Sequence, residues 1–247
     1  MRSIAVYSLK GGVGKTTIAV NLAWSAAVLS KRKSLLWDLD GQAASTFLLG
    51  RGGRSEEEAQ SVFARDVAPS KLIQPTATPQ LDLLPADASL RQLDRFFFTL
   101  GKKKRLEKLL DRLGRDYDRI LLDCPPGLAE TSEQVLRAAD LIIVPVIPSP
   151  LSQRAFEEVV EFLDRHAIRQ GAVLPVYNMV DRRRSMHLAA LEANPKWPVI
   201  PMASAIEAMS ARHEAVGSFA PRSPAALALS GLWAAIDRRL ARTPKDG

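Results

Sequence analysis

Residues 10 to 17 read Lys10-Gly11-Gly12-Val13-Gly14-Lys15-Thr16-Thr17 and follow the apolar run Ile4-Ala5-Val6-Tyr7. A strand that empties into a glycine-rich turn and restarts as a helix constrains the chain more than any other feature. Gly11, Gly12 and Gly14 let the backbone turn its amide hydrogens toward an anion, and a helix beginning near Thr16 adds the positive end of its dipole. Within such a loop Val13 and Thr17 contribute backbone N–H groups, Lys15 can reach the β and γ phosphates of a nucleotide, and the Thr16 hydroxyl can ligate magnesium. The ordinary form of the loop has a glycine five residues before Gly14. Leu9 stands there instead, and Lys10 brings a second cation close to the phosphates.

Two further segments end apolar strands in acids. Leu35-Leu36-Trp37-Asp38-Leu39-Asp40 delivers two carboxylates at alternate positions, which a strand can aim at one site. Arg119-Ile120-Leu121-Leu122-Asp123 does the same with one acid, then continues into Cys124-Pro125-Pro126-Gly127. Asp38 and Asp123 are therefore candidate magnesium contacts, and Asp40 is a candidate for the attacking water. The two prolines stiffen the exit from the third segment, and Gly127 allows it to turn. Cys124 has no histidine near it in sequence and reads as a packing residue.

Short apolar runs at 3–8, 34–39, 81–84, 118–123, 140–146, 172–178 and 197–201 alternate with helical patterns. The implied fold is α/β: a mostly parallel twisted sheet of about seven strands with helices on both faces, in one domain spanning 1–247. Ile18, Leu22, Ala26 and Leu29 form one helical stripe; Ala155, Phe156, Val159, Val160 and Leu163 form another. Residues 50 to 60 read as an exposed excursion running into a helix start. The cluster Lys102-Lys103-Lys104-Arg105 falls where a helix begins, and fits either a solvated face or a contact with an acidic partner.

Composition narrows the setting. One cysteine in 247 residues excludes an internal disulfide framework, no run of about 18 apolar residues is present, and the first strand begins at once. These features predict a cytoplasmic address. The balance of 34 basic against 27 acidic residues, net +7, permits attraction to nucleic acid or to an anionic membrane face.

In order and spacing, the loop at 10–17, the acids at 38 and 40 and the strand ending at Asp123 resemble the deviant Walker A P-loop ATPases of the ParA and MinD family, over almost the whole chain. That resemblance implies ATP and magnesium as ligands and an ATP-sandwich homodimer in which the lysine matching Lys10 reaches the partner's phosphates. It also implies slow hydrolysis, an activating partner protein, and a catalytic set of Lys10, Lys15 and Asp40. Asn178, in Tyr177-Asn178-Met179-Val180-Asp181-Arg182, matches a strand-end segment and either pairs with the adenine edge or caps a loop. A single cysteine sets the chain apart from the iron-sulfur branch, and the nine residues before Lys10 resemble the short, Soj-like ParA branch.

For that branch the expected partner is nonspecific DNA, with Arg182, Arg183, Arg184, Arg212 and Arg222 as candidate contacts, and Arg238 and Arg239 in addition. Met202 and Ala205 are uncharged in a stretch that often carries basic contacts in the family. Association with the nucleoid in the ATP state follows from the same resemblance. The alternative is a MinD-like, membrane-associated regulator. Its candidate anchor is Ala225 to Leu240, where Leu229, Leu232, Trp233, Ile236 and Leu240 form an apolar stripe that fits core packing better than an anchor.

Overall fold

A computed structural model of the chain describes residues 1–51, 57–64, 67–100, 104–168 and 173–242. Eight strands form one sheet: β1 (Arg2–Val6), β2 (Ser34–Asp38), β3 (Gln74–Pro75), β4 (Leu81–Leu84), β5 (Arg119–Asp123), β6 (Leu141–Val146), β7 (Val173–Val180) and β8 (Val199–Pro201). Their order is β3-β4-β2-β5-β1-β6-β7-β8, parallel throughout except for the antiparallel β3–β4 pair. The helices are α1 (Lys15–Val28), α2 (Ala44–Leu49), α3 (Ser61–Ala64), α4 (Leu93–Leu100), α5 (Arg105–Leu113), α6 (Glu130–Ala138), α7 (Pro150–Arg165), α8 (Ser185–Ala193), α9 (Ser204–Glu207), α10 (Met209–Arg212), α11 (Val216–Phe219) and α12 (Pro224–Arg242).

The continuous apolar strands resolve into two faces with period two. Ile4, Val6, Leu36 and Leu121 pack with Ile18 and Leu22 of α1 and with Leu229 and Trp233 of α12. Ala5, Leu35, Trp37, Ile120 and Leu122 pack on the other side with Leu106 of α5, Val135 of α6 and Val159 of α7. These central strands thus show apolar side chains to both helix layers.

Among the described residues the sheet has eight strands, against about seven read from the sequence. The additional one, β3, is two residues long and includes Pro75, which an edge strand tolerates because no ladder bond is needed on its outer side. So short an element leaves no period to read. β1 stops at Val6, and β7 runs on to Val180 through an irregular register between Tyr177 and Val180, with Met179 at φ 56°. Leu29 leaves the α1 stripe: it is the C-cap, half exposed.

The α12 stripe is seated on the protein's own core. Leu229, Leu232, Trp233, Ile236 and Leu240 are all buried, Trp233 Nε1 donates to Ser30 Oγ (2.8 Å), and Asp237 pairs with Arg119 (2.8 Å). Among the described residues no helix is long and apolar enough to cross a membrane.

Residues 52–56 of the glycine-rich excursion, Lys102 and Lys103, residue 172 and the tail 243–247 lie outside the described residues. Of the basic cluster, Lys104 is exposed and faces Glu107 at 3.9 Å, but Arg105 is buried. The solvated-face reading therefore stops at Lys104.

Candidate functional site

The loop after β1 opens at the carboxyl ends of the strands, where ligands collect in parallel sheets. Gly12 (φ 72°) and Gly14 (φ 88°) occupy left-handed backbone that side chains resist. Around Gly11 and Gly12 no atom would lie within 4 Å of an added Cβ, so this side of the loop is open. A Cβ on Gly14 would collide with the Asn178 side-chain amide. The Asn178 Nδ2 donates to the Val13 carbonyl (2.8 Å), which fastens the loop to β7. Behind the loop, α1 starts with no acidic residue in its first turn and no side-chain cap, leaving its N–H dipoles directed at the open side.

The two lysines of the loop differ. Lys15 is buried, and its Nζ donates to the Lys10 carbonyl (3.1 Å). Burial pushes the Lys15 ammonium down from its usual range, while Asp123 and Asp40 pull it back up. Lys10 is half-buried; its N–H donates to Ser8 Oγ (3.3 Å), and its ammonium pairs with no carboxylate among the described residues.

Asp38 and Asp123 are register partners on adjacent strands, both almost fully buried. Burial and the neighbouring Asp123 push Asp38 well above the carboxylate range; burial pushes Asp123 up too, against the Ser45 and Thr16 hydroxyls and Lys15. The α2 segment holds both acids. Thr46 donates through N–H (2.9 Å) and hydroxyl (2.8 Å) to Asp38 Oδ2, and the Ser45 hydroxyl donates to Asp123 Oδ2 (2.8 Å).

Asp38 Oδ1 accepts the Asp40 N–H (3.1 Å), so both Asp38 oxygens are engaged inward; Asp123 Oδ1 is buried with no hydrogen-bond partner. Alternation along the strand had suggested that Asp38 and Asp40 share one site. β2 ends at Asp38, and Asp40 lies in the half-buried turn that follows, accepting from Gln42 N–H (2.9 Å), yet its charge still acts on Lys15 and Asp123.

The segment after Asp123 is tied to β1. Gly127 sits at φ 93°, and its carbonyl accepts from Tyr7 Oη (2.9 Å) and Ser132 Oγ (2.7 Å). Cys124 is fully buried, and burial pushes its thiol well above the usual range, in keeping with packing. Sequence reasoning missed Ser45, Thr46, Tyr7 and Ser132. The adjacent hydroxyls of Ser45-Thr46 at a helix start, a few residues past two acids, were the available signal.

An ion and a phosphate chain would fit this arrangement. The unpartnered Asp123 Oδ1 needs a cation or a donor, Thr16 lies beside it, and the loop is open where phosphates would rest. No cluster of three or more His, Cys, Asp or Glu side chains that could hold a metal ion occurs among the described residues. A divalent ion would have to draw on hydroxyl and ligand oxygens as well, as magnesium does with one or two carboxylates plus phosphates.

The arginine candidates sit on separate elements. Arg182, Arg183 and Arg184 lie just past β7, and Arg183 pairs with Asp181 (2.9 Å). Arg212 lies over the Phe219 ring (4.8 Å), and Arg222 is exposed before α12. Arg238 and Arg239 directly follow Asp237, which bonds at the opposite, amino-terminal end of the sheet.

A parallel sheet whose first strand feeds a glycine loop under a helix N-terminus, with an acid ending the neighbouring strand, defines a P-loop nucleotide-binding protein. The family described as AAA domain matches residues 1–171. The chain is 34% identical over 145 residues to the sporulation initiation inhibitor protein Soj of Bacillus subtilis, a match covering 58% of this chain and 57% of Soj. It is 29% identical over 188 residues to the virulence plasmid ParA family protein pGP5-D of Chlamydia psittaci, covering 75% and 72%. The septum site-determining protein MinD of Pyrococcus horikoshii, solved with Mg-ADP, has the same fold at TM-score 0.80 and 24% identity, covering 99% of both chains. The chain belongs to the ParA/MinD family of P-loop ATPases.

Proposed function

We propose that this chain, as one domain over 1–247, is a magnesium-dependent ATPase that dimerises around ATP. In this reading it couples nucleotide state to nonspecific DNA binding and so positions a plasmid, a chromosome locus or another cargo. The carrying observation is the division between two lysines of one loop: Lys15 is turned inward onto the Lys10 carbonyl, whereas the Lys10 ammonium has no carboxylate partner in its own subunit among the described residues. A cation left unneutralised beside a phosphate loop is suited to phosphates bound by a second copy.

Gly11 to Thr17 would present N–H groups to the phosphates, with Lys15 offsetting their charge. Thr16 and Asp123 would hold magnesium, which when bound supplies positive charge to the phosphoryl oxygens. Asp38 keeps Asp40 and Thr46 in place, and Asp40 would orient the attacking water. Asn178 holds the loop through Nδ2 on the Val13 carbonyl, while its Oδ1, buried with no hydrogen-bond partner, would accept from the adenine edge. The setting is cytoplasmic, on the nucleoid in the ATP state, with an activating partner protein that accelerates turnover. The membrane alternative loses the support of its candidate anchor, because the α12 stripe is buried in the core.

Light scattering after gel filtration tests the central step. The wild type becomes a dimer with ATP, and Lys10→Ala stays monomeric while still binding nucleotide; normal hydrolysis by a monomeric Lys10→Ala protein would overturn the scheme. Asp40→Ala keeps the ATP dimer and loses phosphate release; unchanged release removes Asp40 from the mechanism. Co-sedimentation with DNA and with anionic vesicles separates the two readings. If a dimer neutralises about four phosphates, affinity for DNA falls on the order of 100-fold between about 50 and 200 mM salt. Binding to vesicles with none to DNA rejects the DNA reading.

A further inference from the structure

A cleft of about 610 Å³ opens on the α1 face of the sheet, between α2 and the segment from α10 to α11. Its size lies within the range of small ligand pockets, about 300–1,000 Å³. Trp24 and Val28 of α1 and Leu48 of α2 give it an apolar lining; Arg51 and Arg212 add two guanidinium groups. Two features hold it open. Gly217 lets the Trp24 ring lie against the backbone, since a Cβ there would collide with the indole. His213 takes a left-handed conformation (φ 55°), packs its ring on that of Phe47 (4.8 Å) and bonds the Phe47 carbonyl through Nδ1 (2.9 Å). Phe47 remains 61% exposed beside it, and Val28 is 40% exposed. Glu214 is the one acid in the lining, where it accepts from Ser218 Oγ (3.0 Å); two guanidinium groups against this single carboxylate leave the lining net positive.

We propose that this cleft receives an acidic peptide segment of a partner protein, a bulky apolar side chain seated on Trp24 and a neighbouring carboxylate on Arg51 and Arg212. Tryptophan and arginine together are the residue types that anchor protein interfaces, and exposed Phe47 and Val28 extend the apolar contact. A nucleic-acid backbone suits the site poorly: two guanidiniums make a short phosphate track, and the apolar lining has nothing to offer a phosphate. The wall helix α2 also carries Ser45, which holds Asp123, so an occupant would press on the element that grips the nucleotide-site carboxylate. Occupancy itself does not depend on the ATPase reading.

The test selects a phage-displayed random heptapeptide library on the full chain without nucleotide, with Arg51→Glu/Arg212→Glu as the counter-selected protein. Both arginines are exposed, and an unchanged melting temperature checks that the double variant is folded. Enriched peptides are expected to carry Asp or Glu within two positions of a bulky apolar residue. The synthetic consensus peptide should bind the double variant at least on the order of 10-fold more weakly. No enrichment, a basic consensus, or equal binding to the double variant overturns the proposal. So does a short DNA duplex that displaces the peptide and itself depends on both arginines, because that outcome assigns the cleft to nucleic acid.

Discussion

Replacing Asp123 with asparagine should change how stability depends on pH, and the change can be worked from the site. Asp123 is 1% exposed beside the equally buried Asp38, and its carboxyl is raised from 3.8 to about 6. The two acids titrate as a pair, so the effect belongs to both. A folded-state value above the unfolded one means that the contribution to stability is fully present below about pH 4. It is then lost as pH rises through about 6. At about 1.4 kcal/mol for each tenfold change in proton affinity, that rise corresponds to about 3 kcal/mol. The asparagine amide cannot ionise and keeps an oxygen for the Ser45 hydroxyl, so the variant lacks this loss. Its stability relative to wild type should therefore rise by about 3 kcal/mol between pH 4 and pH 8, whatever fixed cost the amide N–H adds. Urea unfolding of both proteins across that range, without nucleotide or magnesium, gives the difference directly. A difference that stays flat, or falls toward pH 8, would refute the claim that an uncompensated buried charge sits at this position. Adding magnesium and ATP at pH 8 should then stabilise the wild type more than the variant.

Trp233→Ala should cost about 3–5 kcal/mol in denaturant unfolding, because it empties a fully packed position and removes the donor to Ser30; a loss below about 1 kcal/mol would mean that α12 is only loosely seated. Gly14→Ala should lower stability by about 2–4 kcal/mol, from left-handed backbone and from collision with Asn178. Gly14→Ala combined with Asn178→Gly should recover part of that loss, and a melting temperature unmoved by Gly14→Ala alone would contradict the loop geometry.

What the sequence made legible, and what it hid, divides by the range of the interaction. The loop at 10–17 and the strand ending at Asp123 are local patterns, in which glycine, lysine and acid fall within a few residues of one another. The α12 stripe is equally local, and its spacing already pointed to the core. By contrast, Ser45 reaches Asp123 across 78 residues of sequence, Asn178 reaches Val13 across 165, and Tyr7 reaches Gly127 across 120. Each of these contacts exists only because the strand order places β2 beside β5 and carries the chain ends of β1, β5 and β7 to one rim. A period can say that Asp38 ends a strand, but not that the neighbour across the ladder is another acid.

That juxtaposition explains why the two acids at the ends of β2 and β5 behave differently although both are carboxylates on buried strands. Asp38 accepts three hydrogen bonds, from its own turn and from α2, which hold Asp40 and Thr46 in place and pull its carboxyl down, yet burial and the neighbouring Asp123 still raise it to about 7. Asp123 accepts from Ser45 on Oδ2 and has nothing on Oδ1, with Lys15 turned toward the loop carbonyl instead. A buried oxygen in that condition costs free energy until a cation or donor arrives. The ligand-free chain therefore carries a local deficit at one oxygen. The same deficit that weakens the free protein above about pH 6 is what would make cation binding there favourable, so in Asp123→Asn the magnesium response and Asp123's share of the pH-dependent loss should diminish together, while the buried Asp38 keeps its own loss.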